Sequence, residues 1–551
     1  MRLCEHAGVT PEARLAALES LYLVAREARD ELDVARATGE PRDVTALEDA
    51  ARDASAAVRE GLDAFRPEHV AALRGDDARA LVAIRTGIDA ADAYELPVAP
   101  DGPVTGCADA DAWRGLVAEG GPGLRARLEA CYGAVAEDLP LGGQTLARRQ
   151  LLTLLGAEPS GDRRRALFLA LEPLWRAVDG DGAQGSPYRR LIADTAPSWS
   201  AGSDPVSANA AALGVSRDDL EGWCLASLGA WRTAVTDPAR AAGQAPLEPW
   251  DWWWQAGAGQ RAVGAIPLDR ALDVNRRFYA SLGADVDAMD IRFDIVPRPG
   301  RPPVPVAFCS FGARPHLDGE RWTTARPIIL ASMTGGELGD LNELIHETGH
   351  AIHLAGLRTR PAFTDWPDAD ALTEAIADVV SWDTGEPGWL ARWLPGAQPV
   401  GEALSVRGLH AGTILDAAWG LFEMRLLADP SRRPNDVWTE ITSTFLGIAP
   451  HPEWSWWAIR GQLVQEPGYM SNYAIGSVIT AAIRARILES RGPWLDGDPG
   501  WYGWIRDHLF RFGLERPSGE VVTAFLGGPP TVEPLVAALS RAGGPPVPSS
   551  G

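Results

Sequence analysis

Two histidines four residues apart, with a glutamate directly after the first, are the residues of this sequence best placed to do chemistry. The segment reads His346-Glu347-Thr348-Gly349-His350. On a helix this spacing brings both imidazoles to one face, where two neutral rings can each bind a zinc ion. The carboxylate of Glu347 then points at a metal-bound water, which is the general-base position of the HExxH motif. The segment therefore predicts a catalytic metal site.

A catalytic zinc needs a third protein ligand and one open position. The sequence does not match the metzincin extension of the motif, HExxHxxGxxH. His353 stands at the glycine position of that pattern, and Gly356 stands at the position of its third histidine. The alternative is a glutamate on a following helix, and Glu374 comes 24 residues after His350. Asp378 lies four residues further on and shares the face of Glu374. It can accept a hydrogen bond from a ligand histidine and fix the tautomer of that ring.

The elements that must position these residues can also be predicted. Asp340 can cap the first helix, and Gly356 can end it. Asp370 can cap the helix that carries the third ligand. Residues 327–333 read Pro-Ile-Ile-Leu-Ala-Ser-Met, which is apolar and partly β-branched and predicts a short strand.

The paired segments 346–350 and 374–378 resemble the gluzincin peptidases, and they are similar to the angiotensin-converting-enzyme and thimet oligopeptidase/oligoendopeptidase F families. The resemblance covers residues 246–490. It implies a mainly α fold with two helical lobes around a deep substrate channel and a small β-sheet beside the active-site helix. It also implies that residues 328–334 form an edge strand, which could hold an extended peptide through backbone hydrogen bonds.

Residues 466–479 resemble the tyrosine-bearing helix of both families, in which a tyrosine hydroxyl stabilises the oxyanion. One register assigns this role to Tyr473, with Tyr469 as the second choice. The other register makes both tyrosines substrate contacts and leaves Gly476 at the oxyanion position. We prefer Tyr473.

Two further features bear on substrate binding. Arg460 could pair with a substrate carboxylate, although such an arginine more often forms a structural ion pair. The histidine that precedes the tyrosines in these families has no match here, since His451 lies far upstream and Val464 stands nearer the expected place.

The resemblance implies hydrolysis of peptide bonds in short peptides, because a folded protein could not enter a deep channel. One Zn²⁺ per chain would be held by His346, His350 and Glu374, and Glu347 would act as general base on a metal-activated water. The enzyme would be an oligopeptidase or a peptidyl-dipeptidase. Three alternatives stay open: hydrolysis of a peptide-like small metabolite, a catalytically inactive zinc-binding relative, and a helical scaffold in which the motif is a coincidence.

Composition excludes several other functions. The chain has 51 basic and 74 acidic residues and a formal charge of −23, which argues against nucleic acid and phosphate-rich membranes as partners. Every basic residue is arginine. A lysine Schiff base to pyridoxal phosphate and a Walker-type phosphate loop are therefore excluded.

The 551 residues are enough for two domains. We expect an N-terminal helical lobe over residues 1–245, with helical patterns at 10–92 and 112–176. A catalytic lobe over 246–542 and a disordered tail over 543–551 would follow. Five scattered cysteines without a CxxC pair indicate reduced thiols. With neither a signal peptide nor a membrane span expected, we predict a cytoplasmic protein that is a monomer or a small homo-oligomer.

Overall fold

The computed structural model describes residues 10–38, 44–93, 121–179, 182, 185–299, 304, 307–318, 320–333 and 336–543. Helices dominate, as predicted. Apart from residue 543, the predicted disordered tail lies outside the described residues. No helix within the described part of the chain combines the length and the apolar character needed to span a bilayer.

The α-helices occur throughout the described chain. They are α1 Pro11–Thr38, α2 Val44–Asp63, α3 Pro67–Ala72, α4 Gly75–Ala93, α5 Gly121–Ala136, α6 Arg148–Ala157, α7 Gly161–Leu169, α8 Glu172–Asp179, α9 Pro187–Ala201, α10 Pro205–Ala212, α11 Arg217–Trp231, α12 Asp237–Ala241, α13 Pro249–Ala256, α14 Ala258–Val263, α15 Leu268–Ser281, α16 Leu338–Gly356, α17 Asp370–Ser381, α18 Pro387–Trp393, α19 Glu402–Ala428, α20 Pro434–Ile441, α21 Gln462–Gln465, α22 Met470–Arg491, α23 Trp501–His508, α24 Ser518–Leu526 and α25 Glu533–Ser540.

The strands in the described residues are short and form three small sheets. They are β1 Leu139–Leu141, β2 Gln144–Leu146, β3 Arg292–Asp294, β4 Phe308–Ala313, β5 His316–Asp318, β6 Arg321–Thr323 and β7 Arg326–Leu330. β1 pairs with β2, β5 pairs with β6, and the third sheet has the order β3-β7-β4.

The chain folds as two compact units, each assembled from three separate segments. The first unit contains residues 1–96, 266–368 and 496–525, and the second contains residues 97–265, 369–495 and 526–551. The boundary predicted between residues 245 and 246 lies inside the second unit, near the end of its first segment. Neither unit is therefore one continuous stretch of sequence.

The first unit is built on helices whose apolar residues recur at helical spacing. On α1, Leu15, Leu18 and Tyr22 are buried at this spacing, as an amphipathic helix requires. They belong to one apolar cluster that also contains Ile84 of α4 and Phe363. This cluster joins the N-terminal helices to the segment that follows the HExxH helix.

The three-stranded sheet of the first unit lies beside α16, which packs against β4 and β7. The predicted strand is confirmed as β7. Its predicted edge position is wrong, because β7 is parallel to β3 on one side and antiparallel to β4 on the other. Ile329 pairs with Phe293 and with Cys309. The backbone of residues 328–330 is therefore already paired on both sides and cannot bind a peptide there.

The second unit surrounds the long helix α19, which packs against α9, α11, α13, α20 and α22. Its core is rich in tryptophan, and the fully buried side chains among its described residues include Trp231, Trp389, Trp438, Trp456 and Trp457. α17 packs closely on α22, where the Thr480 hydroxyl donates to the carbonyl oxygen of Ala375 at 3.3 Å. The helix with the predicted third ligand and the helix with the tyrosines thus form one packed pair.

Two features of the second unit differ from the predictions. A β-hairpin, β1–β2, interrupts the stretch predicted as helical. Its turn is made by Gly142 and Gly143 with φ values of 59° and 88°, a conformation that glycine adopts without strain. Cys131 is disulfide-bonded, so the expectation of reduced thiols is wrong for this residue, whereas Cys224 and Cys309 are free. Cys4 and Cys107 lie outside the described residues.

Candidate metal centre

The HExxH segment lies in the middle of α16, within the first unit. The helix begins at Leu338 after Glu337 as N-cap, so Asp340 stands in its first turn and does not cap it. The rings of His346 and His350 meet edge to face with centroids 4.8 Å apart. One ligand atom from each of His346, Glu347 and His350 lies within 4.8 Å of the others. Helical spacing has therefore brought these three donors together.

The chemistry of these donors fits a divalent metal ion such as zinc, which binds imidazole nitrogen and carboxylate oxygen. Burial lowers the pKa of His350 well below its usual value, and the neighbouring imidazoles of His346 and His353 lower it further. The ring is therefore neutral at physiological pH, which is the form that binds a metal. Glu347 is also buried.

Neighbouring elements of the first unit hold α16 in place. From α15, the Tyr279 hydroxyl donates to the carbonyl oxygen of Ile345 at 2.6 Å. The Asn275 amide donates to the Thr348 hydroxyl at 3.0 Å. Thr348 lies inside the motif itself, between Glu347 and His350. Sequence reasoning missed Asn275 and Tyr279, because nothing in their own segment indicates which helix they bind.

Aromatic rings pack against two histidines of α16. Trp366 packs edge-on against His350, with ring centroids 5.4 Å apart. His353 lies between Trp366 and Phe510, at 6.1 Å and 5.3 Å, and burial lowers its pKa to about 3. His353 therefore packs as a neutral, enclosed core side chain.

The predicted third ligand, Glu374, belongs to the second unit, on α17. This helix begins at Asp370 with Ala369 as N-cap, so Asp370 is its first residue and not its cap. Glu374 and Asp378 are both half-buried, and Asp378 accepts a hydrogen bond from the Ser381 hydroxyl at 2.8 Å. The roles predicted for Glu374 in ligation and for Asp378 in orienting a histidine stay predictions.

The two candidate tyrosines lie together at the start of α22. Tyr469 is the N-cap and Tyr473 lies one turn later, with ring centroids 5.7 Å apart. Burial raises the pKa of both phenols, which keeps them protonated and able to donate. On the same helix, Gly476 lies so close to α17 that an added Cβ would be 3.9 Å from the Cβ of Glu374. Tyr473 and Glu374 are thus near each other within the second unit.

Two polar side chains lie next to Tyr473: Arg460 beside its ring and Gln462 beside its hydroxyl. Arg460 forms an ion pair with Asp416, and its guanidinium carbon lies 5.3 Å from the centroid of the Tyr473 ring. The Gln462 amide donates to the Tyr473 hydroxyl oxygen at 3.3 Å. The similar families have a histidine shortly before the tyrosines, and this sequence has none there. In this part of the chain, Gln462 is the residue that contacts Tyr473, whereas Val464 is fully buried.

Solved structures of similar shape were found for nearly the whole chain. Metallocarboxypeptidase 1 of Trypanosoma cruzi aligns with a TM-score of 0.54 and 14% identity over 96% of this chain and 99% of its own. A carboxypeptidase from Deinococcus radiodurans aligns with a TM-score of 0.55 and 15% identity over 96% of this chain and 97% of its own. An oligoendopeptidase F aligns with a TM-score of 0.55 and 16% identity over 94% of each chain. The chain has the fold of these peptidases.

This peptidase fold extends further than the sequence resemblance. The resemblance of the motifs covers residues 246–490, whereas the structural similarity includes the N-terminal half. No family model matches the sequence, and no curated protein matches it. At 14–16% identity, the similarity lies in the fold and not in the sequence.

Proposed function

We propose that the chain is a zinc-dependent peptidase that hydrolyses peptide bonds in short peptides. The observation that carries this proposal is the convergence of ligand atoms from His346, Glu347 and His350 within 4.8 Å on one helix of a peptidase fold. His346, His350 and Glu374 would hold one zinc ion per chain. The ion would supply a bound water of lowered pKa and polarise the substrate carbonyl.

The residues of the chain would perform the proton transfers and stabilise charge. Glu347 would take a proton from the attacking water and later give it to the leaving amine. Tyr473 would donate a hydrogen bond from its hydroxyl to the oxyanion that forms at the scissile carbonyl. Asp378 would accept a hydrogen bond from a ligand histidine and so keep the other ring nitrogen directed at the metal.

A specific observation favours action at the C-terminus of the substrate. Arg460 is a guanidinium beside Tyr473, and guanidinium groups bind carboxylates in bidentate geometry. Asp416 already pairs with Arg460, which would hold the cation in place for a substrate carboxylate, while Tyr469 would contact the adjacent residue. Two of the structural relatives are named carboxypeptidases. Faster cleavage of a free-acid peptide than of its C-terminal amide would support this candidate.

The general-base role is tested with Glu347→Gln and with Glu337→Gln as a control at the N-cap of the same helix. We expect Glu347→Gln to keep one zinc per chain by elemental analysis and to lose hydrolysis by more than about 1,000-fold. The control, Glu337→Gln, should keep both its zinc and its hydrolytic activity. Undiminished turnover in Glu347→Gln would remove the residue from this role, and purification without zinc would contradict the metal site.

The substrate class is tested by comparing a library of short peptides with a set of small amides. Preferential turnover of peptides of a few residues would support the proposal. Turnover of the amides alone would favour a peptide-like metabolite as the substrate. Bound zinc without turnover of either set would favour a catalytically inactive relative.

A further inference from the structure

Glu423 carries a fully buried carboxyl group on α19 of the second unit. Both of its oxygens accept hydrogen bonds from the backbone that leads into α22. Oε1 accepts from the amide of Gly468 at 2.8 Å, and Oε2 accepts from the amide of Met470 at 3.0 Å. The Tyr188 hydroxyl donates a longer bond of 3.4 Å to Oε1. Glu423 therefore holds two amides on either side of Tyr469.

The backbone of residues 468–470, which Glu423 binds, is restricted in its conformation. Gly468 has a φ of 96°, which L-residues with a side chain rarely adopt. A Cβ at this position would lie 3.3 Å from Leu427 and 3.4 Å from Val206. Met470 is the first residue of α22, where backbone amides lack partners within the helix. The carboxyl group thus satisfies an amide that the helix itself leaves open.

The geometry selects a carboxyl group in particular. Both oxygens of a carboxyl group can accept a hydrogen bond, whereas the nitrogen of a glutamine amide can only donate. With glutamine at position 423, one of the two backbone amides would face another donor. Glutamate is thus the side chain that can bind Gly468 and Met470 together.

We propose that Glu423 is a positioning residue that fixes Tyr469 and Tyr473 for catalysis by holding the start of α22. This inference rests on the proposed peptidase function. Glu423 itself would not touch the substrate. Its effect would pass through one helical turn, from the clamped amide of Met470 to the side chain of Tyr473. A displacement of about 1 Å at such a group is enough to lower the rate of a reaction about 100-fold.

The kinetic test compares Glu423→Gln with Asp179→Asn. Asp179 is a second buried carboxylate of the same unit, but its hydrogen-bond partners are the hydroxyls of Ser186 and Ser455. We expect Glu423→Gln to lower kcat by about 10- to 100-fold with a smaller change in KM. Asp179→Asn should lower thermal stability and leave kcat unchanged. Equal loss of kcat in both variants would overturn the proposal.

A double-mutant cycle separates positioning from a general loss of structure. If Glu423 acts through the tyrosine, then Glu423→Gln should cause little further loss of kcat when Tyr473 is already phenylalanine. Losses that multiply in the double variant would overturn the proposal, because they would show that the two residues act independently.

Hydrogen exchange tests the clamp without any need for activity. In Glu423→Gln, the amides of residues 468 and 470 should exchange at least about 10-fold faster than in the wild type. In Asp179→Asn their exchange should be unchanged. Unchanged exchange in Glu423→Gln would refute the clamp. If the wild type hydrolyses no peptide, the proposed function fails, while this exchange measurement still decides whether Glu423 holds the start of α22.

Discussion

The side-chain amide of Gln462 donates a hydrogen bond to the hydroxyl oxygen of Tyr473 across 3.3 Å. A phenol oxygen that already accepts this bond keeps its own proton for another acceptor. Burial raises the pKa of Tyr473, while the charge of Arg460 and the bond from Gln462 lower it. The surroundings of Tyr473 therefore suit a hydroxyl that donates to developing negative charge.

The choice between the two tyrosines can be made by removing each hydroxyl in turn. Tyr473→Phe should lower kcat by about 100-fold with little change in KM, because the lost bond forms only in the transition state. Tyr469→Phe should act mainly on KM as a substrate contact. Steady-state kinetics on a short peptide measures both. The reverse pattern would assign the oxyanion role to Tyr469.

Loss of the hydrogen bond from Gln462 should lower kcat by a measurable amount. Gln462→Leu keeps the approximate size of the side chain and removes the donor, so we expect kcat to fall roughly fivefold, the value of one hydrogen bond of about 1 kcal/mol. Gln465→Leu is the matched control, since Gln465 lies on the same short helix and is exposed. Equal kinetics for the two variants would mean that Gln462 has no part in the reaction.

Metal affinity should depend on the two predicted residues of α17 to different degrees. Asp378→Asn should weaken zinc binding by about 10- to 100-fold, as loss of an outer hydrogen bond to a ligand does, and Glu374→Ala should weaken it further. Competition with a chromophoric chelator measures both constants. Asp370→Asn, at the start of the same helix, should bind zinc as the wild type does. A Glu374→Ala protein with unchanged zinc affinity would refute the predicted ligand set.

Stability should depend on pH through Glu423. Burial raises the pKa of this carboxyl group from 4.5 to about 8. Between these two values the unfolded chain has released a proton that the folded chain retains. The contribution of Glu423 to the free energy of unfolding should therefore fall as pH rises from 4.5 to about 8, and stay constant above it.

Urea denaturation from pH 5 to pH 9 measures this dependence. The wild type should lose more stability over this range than Glu423→Gln, which carries no titratable group at the position. Identical slopes of unfolding free energy against pH in the two proteins would show that Glu423 titrates at its ordinary pKa when folded.

The helix of the metal site could be predicted from local sequence because its signals are local. The spacing of His346 and His350 sets their common face, and Gly356 ends the helix as predicted. The start was predicted less well, since Asp340 suits both the cap and the first turn of a helix. Local chemistry does not distinguish these two positions.

The features that the sequence did not reveal depend on residues far apart in the chain. Asn275 binds a hydroxyl 73 residues away, and Glu423 binds an amide 45 residues away. The central position of β7 depends on β3, a three-residue strand in a proline-rich region. A polar side chain that bonds to a group far away in the chain leaves no periodic pattern, so only tertiary structure reveals the bond.

The hydrogen bond from the Tyr502 hydroxyl to the carbonyl oxygen of Ile352 joins residues 150 positions apart, and Phe510 packs on His353 from the same late segment. During translation this segment leaves the ribosome long after α16 does. The side chains that cover the second half of α16 are therefore available only after most of the polypeptide has been synthesised. We expect nascent chains that stop before residue 502 to be unable to mature, so that incomplete products would be inert in the cell.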